Sequence, residues 1–133
     1  MKAVLDTNIF ISGIHWKGPS EKVLVAWFDG KFDLVSSNEI IEEMIRVLKN
    51  FKIPLPNTTI LLWKSIILKK SIIVKPINRI NAIKEDPEDN KIIEAAIDGN
   101  ADYIISQDNH LLKLKNFRNI KIVNPNEFLR SIS

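Results

Sequence analysis

Short runs of adjacent apolar residues alternate along this chain with helical stripes, and that alternation constrains the fold more than any other feature. Five runs read as strands, at 2–5, 32–36, 72–75, 103–106 and 121–123. In three of them apolar residues fill consecutive positions: Val4-Leu5, Ile72-Ile73-Val74 and Ile104-Ile105. Successive strand residues point to opposite faces, so such runs predict strands covered on both faces. Between them, residues 20–29 carry Val23, Leu24 and Trp27 on one stripe, and residues 37–49 carry Ile40, Ile41, Met44, Ile45 and Leu48. Residues 57–70 carry a less regular set, Ile60, Leu61, Lys64 and Leu68. Residues 87–98 carry Ile92, Ile93, Ala96 and Ile97, with Gly99 as a stop signal. A last short helix is expected at 126–130, after Pro125. Strands alternating with helices predict an α/β domain with a central, mainly parallel five-stranded sheet. One crossover reads as long, with two helices between the second and third strands. The longest loop without pattern is 75–85, which holds Pro76 and Asn78.

A chain of 133 residues fits one domain, 1–133, with a core that needs no crosslinks. It has no cysteine, which excludes disulfides and thiolate metal sites and suits a cytoplasmic protein. No signal-peptide stretch precedes Asp6, and the most apolar tract, 60–74, is interrupted by Lys64, Lys69 and Lys70, so no membrane span is expected. Net charge is +3, from 19 basic and 16 acidic residues. With the four acids considered next set aside, 12 acids remain and the balance of the rest is +7. A basic body around an acidic pocket suits a metal-assisted enzyme acting on a polyanion. On charge alone, solubility from a lysine-rich composition explains it as well.

Those four acids are Asp6, Glu43, Asp89 and Asp108. In open α/β sheets functional groups gather beyond the carboxyl ends of the strands. Asp6 ends the first strand, Asp108 follows the fourth, and Asp89 stands in the first turn of a helix after Asp86-Pro87. Glu43 lies mid-helix, placed to swing over the other three. Taken singly, Asp6, Asp86 and Asp108 read as helix caps and Asp89 as a favourable charge at a helix start. Ser36-Ser37-Asn38-Glu39 reads as a capping box, and Glu42 faces Arg46 one turn on, whereas Glu43 has no evident partner. Convergence is the stronger argument: carboxylates packed together raise one another's pKa, and a cation compensates them. Oxygen ligands without cysteine or paired histidines point to Mg²⁺ or Mn²⁺, and hence to phosphodiester chemistry.

These residues resemble the PIN domain family over nearly the whole chain. The resemblance rests on Val4-Leu5-Asp6-Thr7-Asn8, Ser37-Asn38-Glu39-Ile40-Ile41-Glu42-Glu43 and Asp86-Pro87-Glu88-Asp89-Asn90. It continues through Ala101-Asp102-Tyr103-Ile104-Ile105-Ser106-Gln107-Asp108 and Pro125-Asn126-Glu127-Phe128-Leu129. The chain looks most like the prokaryotic branch of toxin components of toxin–antitoxin pairs, the VapC-like ribonucleases. The resemblance implies a three-layer α/β/α fold and a Mg²⁺- or Mn²⁺-dependent ribonuclease directed at single-stranded RNA. It also implies a homodimer and a cognate antitoxin partner. By matching position it carries over Asp6, Glu43, Asp89 and Asp108 as catalytic and metal-binding acids, with Thr7, Asn8 and Ser106 as supporting polar residues. One departure is His110, where many relatives carry a further acid; a histidine there would weaken a second metal site.

His15 and Trp16 are expected in a loop near Asp6, where they would stack on or contact RNA, although a lone exposed Trp is as often a packing or partner contact. Trp27 and Trp63 fall on helical stripes and are expected in the core or an interface. Lys69 and Lys70 read as a solvated helix end. A phosphoacceptor module is the runner-up class. It requires adjacent acids after the first strand, an acceptor Asp after the third and a Lys after the fifth, whereas those strands end in Asp6-Thr7, Lys75-Pro76 and Asn124-Pro125. A phosphatase of the Asp-x-Asp kind fails at Asn8. Within the family, the alternatives to a toxin are an RNA-processing nuclease and a catalytically weak binding scaffold.

Overall fold

The computed structural model describes residues 1–77 and 89–133. Along the chain these form β1 (Lys2–Leu5), α1 (Thr7–His15), α2 (Pro19–Phe28), β2 (Asp33–Ser37), α3 (Asn38–Asn50), α4 (Asn57–Lys70) and β3 (Ser71–Val74). After the undescribed stretch come α5 (Asn90–Asp98), β4 (Tyr103–Ile105), α6 (Asn109–Leu112), β5 (Asn116–Phe117), β6 (Ile120–Val123) and α7 (Pro125–Ile132). The strands pair in the order β3-β2-β1-β4-β6-β5. Every pairing is parallel except the antiparallel β5–β6. The sheet thus has six strands, not the five expected. β5 is two residues long and has no apolar run to betray it. It exists because Arg118 and Asn119 take positive φ, 47° and 68°, which tight hairpin turns demand.

Helices cover both faces. Ala3, Leu5, Leu34 and Ile105 pack with Phe10, Trp27, Met44 and Phe128 on one side. Val4, Val35, Ile104 and Ile122 pack with Ile92, Ile93, Ala96 and Leu111 on the other. Alternate strand residues thus feed different layers, and the result is the three-layer α/β/α arrangement. Burial on both faces holds for β1 and β4. It fails for β3, where Ile72 is 41% exposed, because this strand is the sheet edge and its helical cover thins there.

Three local expectations are corrected. On α4 the buried residues are Ile60 and Ile67, while Leu61 and Leu68 face outward. Apolar residues surround most of that helix, so periodicity could not select its inner face. The cap of α3 is Ser37, whose hydroxyl accepts from Ile40 N at 3.3 Å. Strand β2 runs one residue further than expected, and buried Ser36 belongs to it rather than to a capping box. The first crossover, like the second, carries two helices, α1 and α2. Gly99 does end α5, but chiefly by size: a Cβ there would meet Val35 Cγ1 at 2.4 Å, and it is Asn100 that turns to positive φ. Most of the 75–85 loop, Asp86 and Pro87 lie outside the described residues.

This topology prepares a site. From β1 the chain moves outward through β2 and β3, then returns to place β4 on the other side of β1. The carboxyl ends of β1 and β4 are therefore neighbours at a topological switch point, where an α/β sheet opens a crevice. Asp6 follows the first strand and Ser106 the second.

Candidate active site

Asp6 is 4% exposed and follows a strand buried on both faces, so its carboxyl is carried into the protein by β1. It stands at the N-terminus of α1 but makes no side-chain cap. Instead Oδ2 accepts from the hydroxyl of Ser106, at 2.8 Å. Ser106 is wholly buried, and its Oγ in turn accepts from the backbone N–H of Asp108, at 2.9 Å. A single serine thus joins the two acids at adjacent strand ends. Asp108 is the cap of α6, with Oδ1 accepting from His110 N at 2.7 Å, so its capping and site roles coexist.

Glu43 enters from α3. Its Oε1 accepts from the hydroxyl of buried Thr7, at 2.6 Å, and its Oε2 is paired with the ammonium of Lys91 on α5. The expectation that Glu43 lacks a partner is therefore wrong. Its partner lies 48 residues away, and no local pattern announces it. Glu42, one residue back, is exposed.

Burial pushes the Asp6 carboxyl above the ordinary carboxylate range. The Ser106 hydroxyl draws it back, the charge of Asp108 raises it, the Thr7 backbone lowers it and the charge of Glu43 raises it again. Asp6 thus feels the charges of two of the other three acids. The fourth, Asp89, stands at the start of α5. It is brought to Asp108 and His110, each of the three offering a ligand atom within 4.8 Å of the others. Asp108 belongs to both groups.

That donor set fits a divalent cation. Two carboxylates and an imidazole suit a metal with mixed oxygen and nitrogen ligands, and the nitrogen favours a transition-metal ion over Mg²⁺. His110, expected only to weaken a site, is placed where it can serve one. The spacing Asp108-Asn109-His110 around a helix start was the available signal: a cap bonds the second helical residue and so brings that residue back toward itself.

Of the supporting residues, Thr7 and Ser106 hold acids directly, while Asn8 is exposed and lines a cavity that also contains Asp108. Of the two residues expected in a loop, Trp16 lies in the connection between α1 and α2, whereas His15 does not. His15 ends α1, and its ring nitrogens lie 2.7 and 3.1 Å from the carbonyl oxygens of Ile11 and Ile53. Trp16 follows as the C-cap and is 46% exposed in the Asn8–Asp108 cavity. Trp27 is core, and Trp63 is half-buried.

The fold is similar to a chain in the crystal structure of VapBC2 from Rickettsia felis bound to a DNA fragment from their promoter. The TM-score is 0.63 at 18% sequence identity, and 93% of this chain and 98% of that chain are covered. At that identity the likeness is one of fold. No curated protein is similar at a significant level. The family model described as PIN domain matches residues 2–110, a span that runs from the strand delivering Asp6 to the helix start holding Asp108 and His110. With most of the chain under that match, and the acids gathered at its switch point, this protein belongs to the PIN domain family.

Proposed function

We propose that this chain is a metal-dependent endoribonuclease that cleaves single-stranded or loop RNA. PIN domains are generally nucleases. The observation that carries the finer reading is the buried Asp6, its carboxyl raised chiefly by desolvation, tied through Ser106 to Asp108, which in turn neighbours Asp89 and His110. Mn²⁺ or Mg²⁺ would be held by Asp6, Glu43, Asp89 and Asp108, with His110 near enough to join them, and would supply an acidified water and stabilise charge on the phosphate. The rest falls to the chain's own groups. Ser106 fixes the direction of the Asp6 carboxylate, and Thr7 and Lys91 fix that of Glu43. Asp6, desolvated and raised, is suited to take a proton from the attacking water. Basic residues elsewhere draw the polyanion in.

Hydrolysis by water leaves a 5′-phosphate and a 3′-hydroxyl, whereas attack by the RNA 2′-hydroxyl leaves a cyclic or 3′-phosphate. Product ends mapped by ligation and mass spectrometry should be 5′-phosphate and 3′-hydroxyl. Cleavage should stop in EDTA and in Asp108→Asn. A 2′,3′-cyclic phosphate that persists in EDTA would overturn the mechanism.

The biological role proposed is the toxin of a toxin–antitoxin pair, acting in the cytoplasm as one 133-residue domain. What supports it is the fold shared with a chain of a VapBC complex. Among the described residues no helix is long and apolar enough to cross a membrane. Expression of the chain alone should arrest growth, and expression of Asp108→Asn should not. A strain that grows normally with the active chain would favour the processing nuclease instead.

A further inference from the structure

A cavity of about 380 Å³ opens beside Asp108 and runs along α1. Asn8, Ser12 and Trp16 line it at successive turns, together with Phe51, Gln107 and Asp108. Eight residues of helix span about 12 Å, so the cavity links the acids at the start of α1 to an aromatic pair at its end. That pair is built rather than incidental. The His15 ring lies 6.1 Å from Trp16 and 4.5 Å from Phe51, so one imidazole neighbours both. His15 is itself fixed to backbone oxygens of α1 and of the segment after α3. Trp16 N donates to Ser12 O at 2.9 Å, which continues the helical turn and fixes the backbone from which the indole projects. Nearly half of Trp16 is nonetheless exposed. Lys17 and Lys52, next in the chain to the two aromatics, are exposed as well.

We infer that Trp16 and Phe51 form a nucleobase subsite, which holds an unpaired base of the strand whose phosphodiester lies at Asp108. The inference rests on the proposed reading of the acids as a nuclease centre, and it names what recognises the substrate there. An exposed indole with the His15 ring beside it offers a π-face to any base, Asn8 and Gln107 offer amide donors and acceptors, and the exposed Lys17 and Lys52 adjoin the two aromatics in the chain. A stacked duplex cannot present a free base face, so this subsite is a source of single-strand preference that the acids alone do not supply. His15 is the strut of the subsite and makes no base contact.

Binding can be read without cleavage in full-length Asp6→Asn protein with Mg²⁺, using a fluorescent single-stranded RNA octamer, the same octamer with abasic positions, and its duplex. Adding Trp16→Ala should weaken single-strand binding about tenfold, the loss of one stacked base. Trp16→Phe should keep most of the affinity. The abasic octamer should already be weak and lose nothing more on Trp16→Ala, which is the coupling expected of a direct contact. Duplex binding should not change. Equal losses on the normal and abasic octamers, or no loss on either, would overturn the subsite, and would leave the exposed indole as a contact for a protein partner. If the otherwise wild-type protein cleaves RNA in either case, the nuclease reading survives and the subsite alone fails. If it neither binds nor cleaves any RNA, both fail.

Discussion

Asp6 opposes the fold it belongs to. Its carboxyl is desolvated, and the charges of Asp108 and Glu43 stand against it, so ionising it inside the protein is harder than in the unfolded chain. An acid whose pKa rises on folding binds more protons in the folded state. The stability it allows is therefore full below the ordinary carboxylate range and is lost as pH climbs through the raised folded value. Asp6→Asn keeps the shape and an acceptor for Ser106 but removes the charge. Without metal, melting curves should show Asp6→Asn more stable than wild type at neutral pH, with the difference shrinking as pH falls into the carboxylate range. With Mg²⁺ or Mn²⁺ the wild type should gain more than the variant, because only its folded state assembles the full ligand set. A variant less stable than wild type at neutral pH, metal-free, would contradict the burial of that charge.

Among elements, α3 shows how one step along a helix separates an inward acid from a solvated one. Glu42 points to solvent, while Glu43 points inward to Thr7 and Lys91 and so ties α3 to α1 and α5. Glu43→Gln should abolish cleavage and cost about 1–3 kcal/mol, the worth of a partly buried charged hydrogen bond. Glu42→Gln should be nearly silent, within about 0.5 kcal/mol. Equal activity loss in the two variants would show that the inward placement of Glu43 has no catalytic meaning. What was legible beforehand divides along the same line. The strands delivering Asp6 and Asp108 announced themselves by consecutive apolar residues, and the inner stripe of α3 by Ile40, Ile41, Met44 and Leu48. Lys91 was illegible because its meaning lies across the fold, in a glutamate on another helix. The inner face of α4 was illegible because too many of its positions are apolar, and β5 because two turn residues, not a hydrophobic pattern, create it.

The whole molecule leaves an apolar tract in solvent. Leu61 is 63% and Leu62 59% exposed on α4, Val25 and Phe28 are exposed on α2, and the Phe28 ring lies 5.8 Å from that of Trp63. Exposed apolar side chains on two helices joined by such a ring contact mark an interaction site more often than bare solvent. A homodimer formed through it is proposed, with Leu62 and Trp63 at its centre. Light scattering should give a dimer at micromolar concentration, and Leu61→Glu with Leu62→Glu should give a folded monomer. A wild-type monomer across that range would remove the dimer.

The hydroxyl of Ser106 has only one hydrogen, and its place is dictated. The oxygen is already accepting from Asp108 N–H, so the hydrogen is left to point at Asp6. The row of dipoles therefore has a polarity, running from the helix start at Asp108 toward the carboxylate of Asp6. It cannot reverse unless the backbone moves. Asp6 is thereby presented with a positive pole at Oδ2 whatever its own protonation. The fold thus makes the two oxygens of a symmetric group unequal, and a wholly buried serine makes the difference.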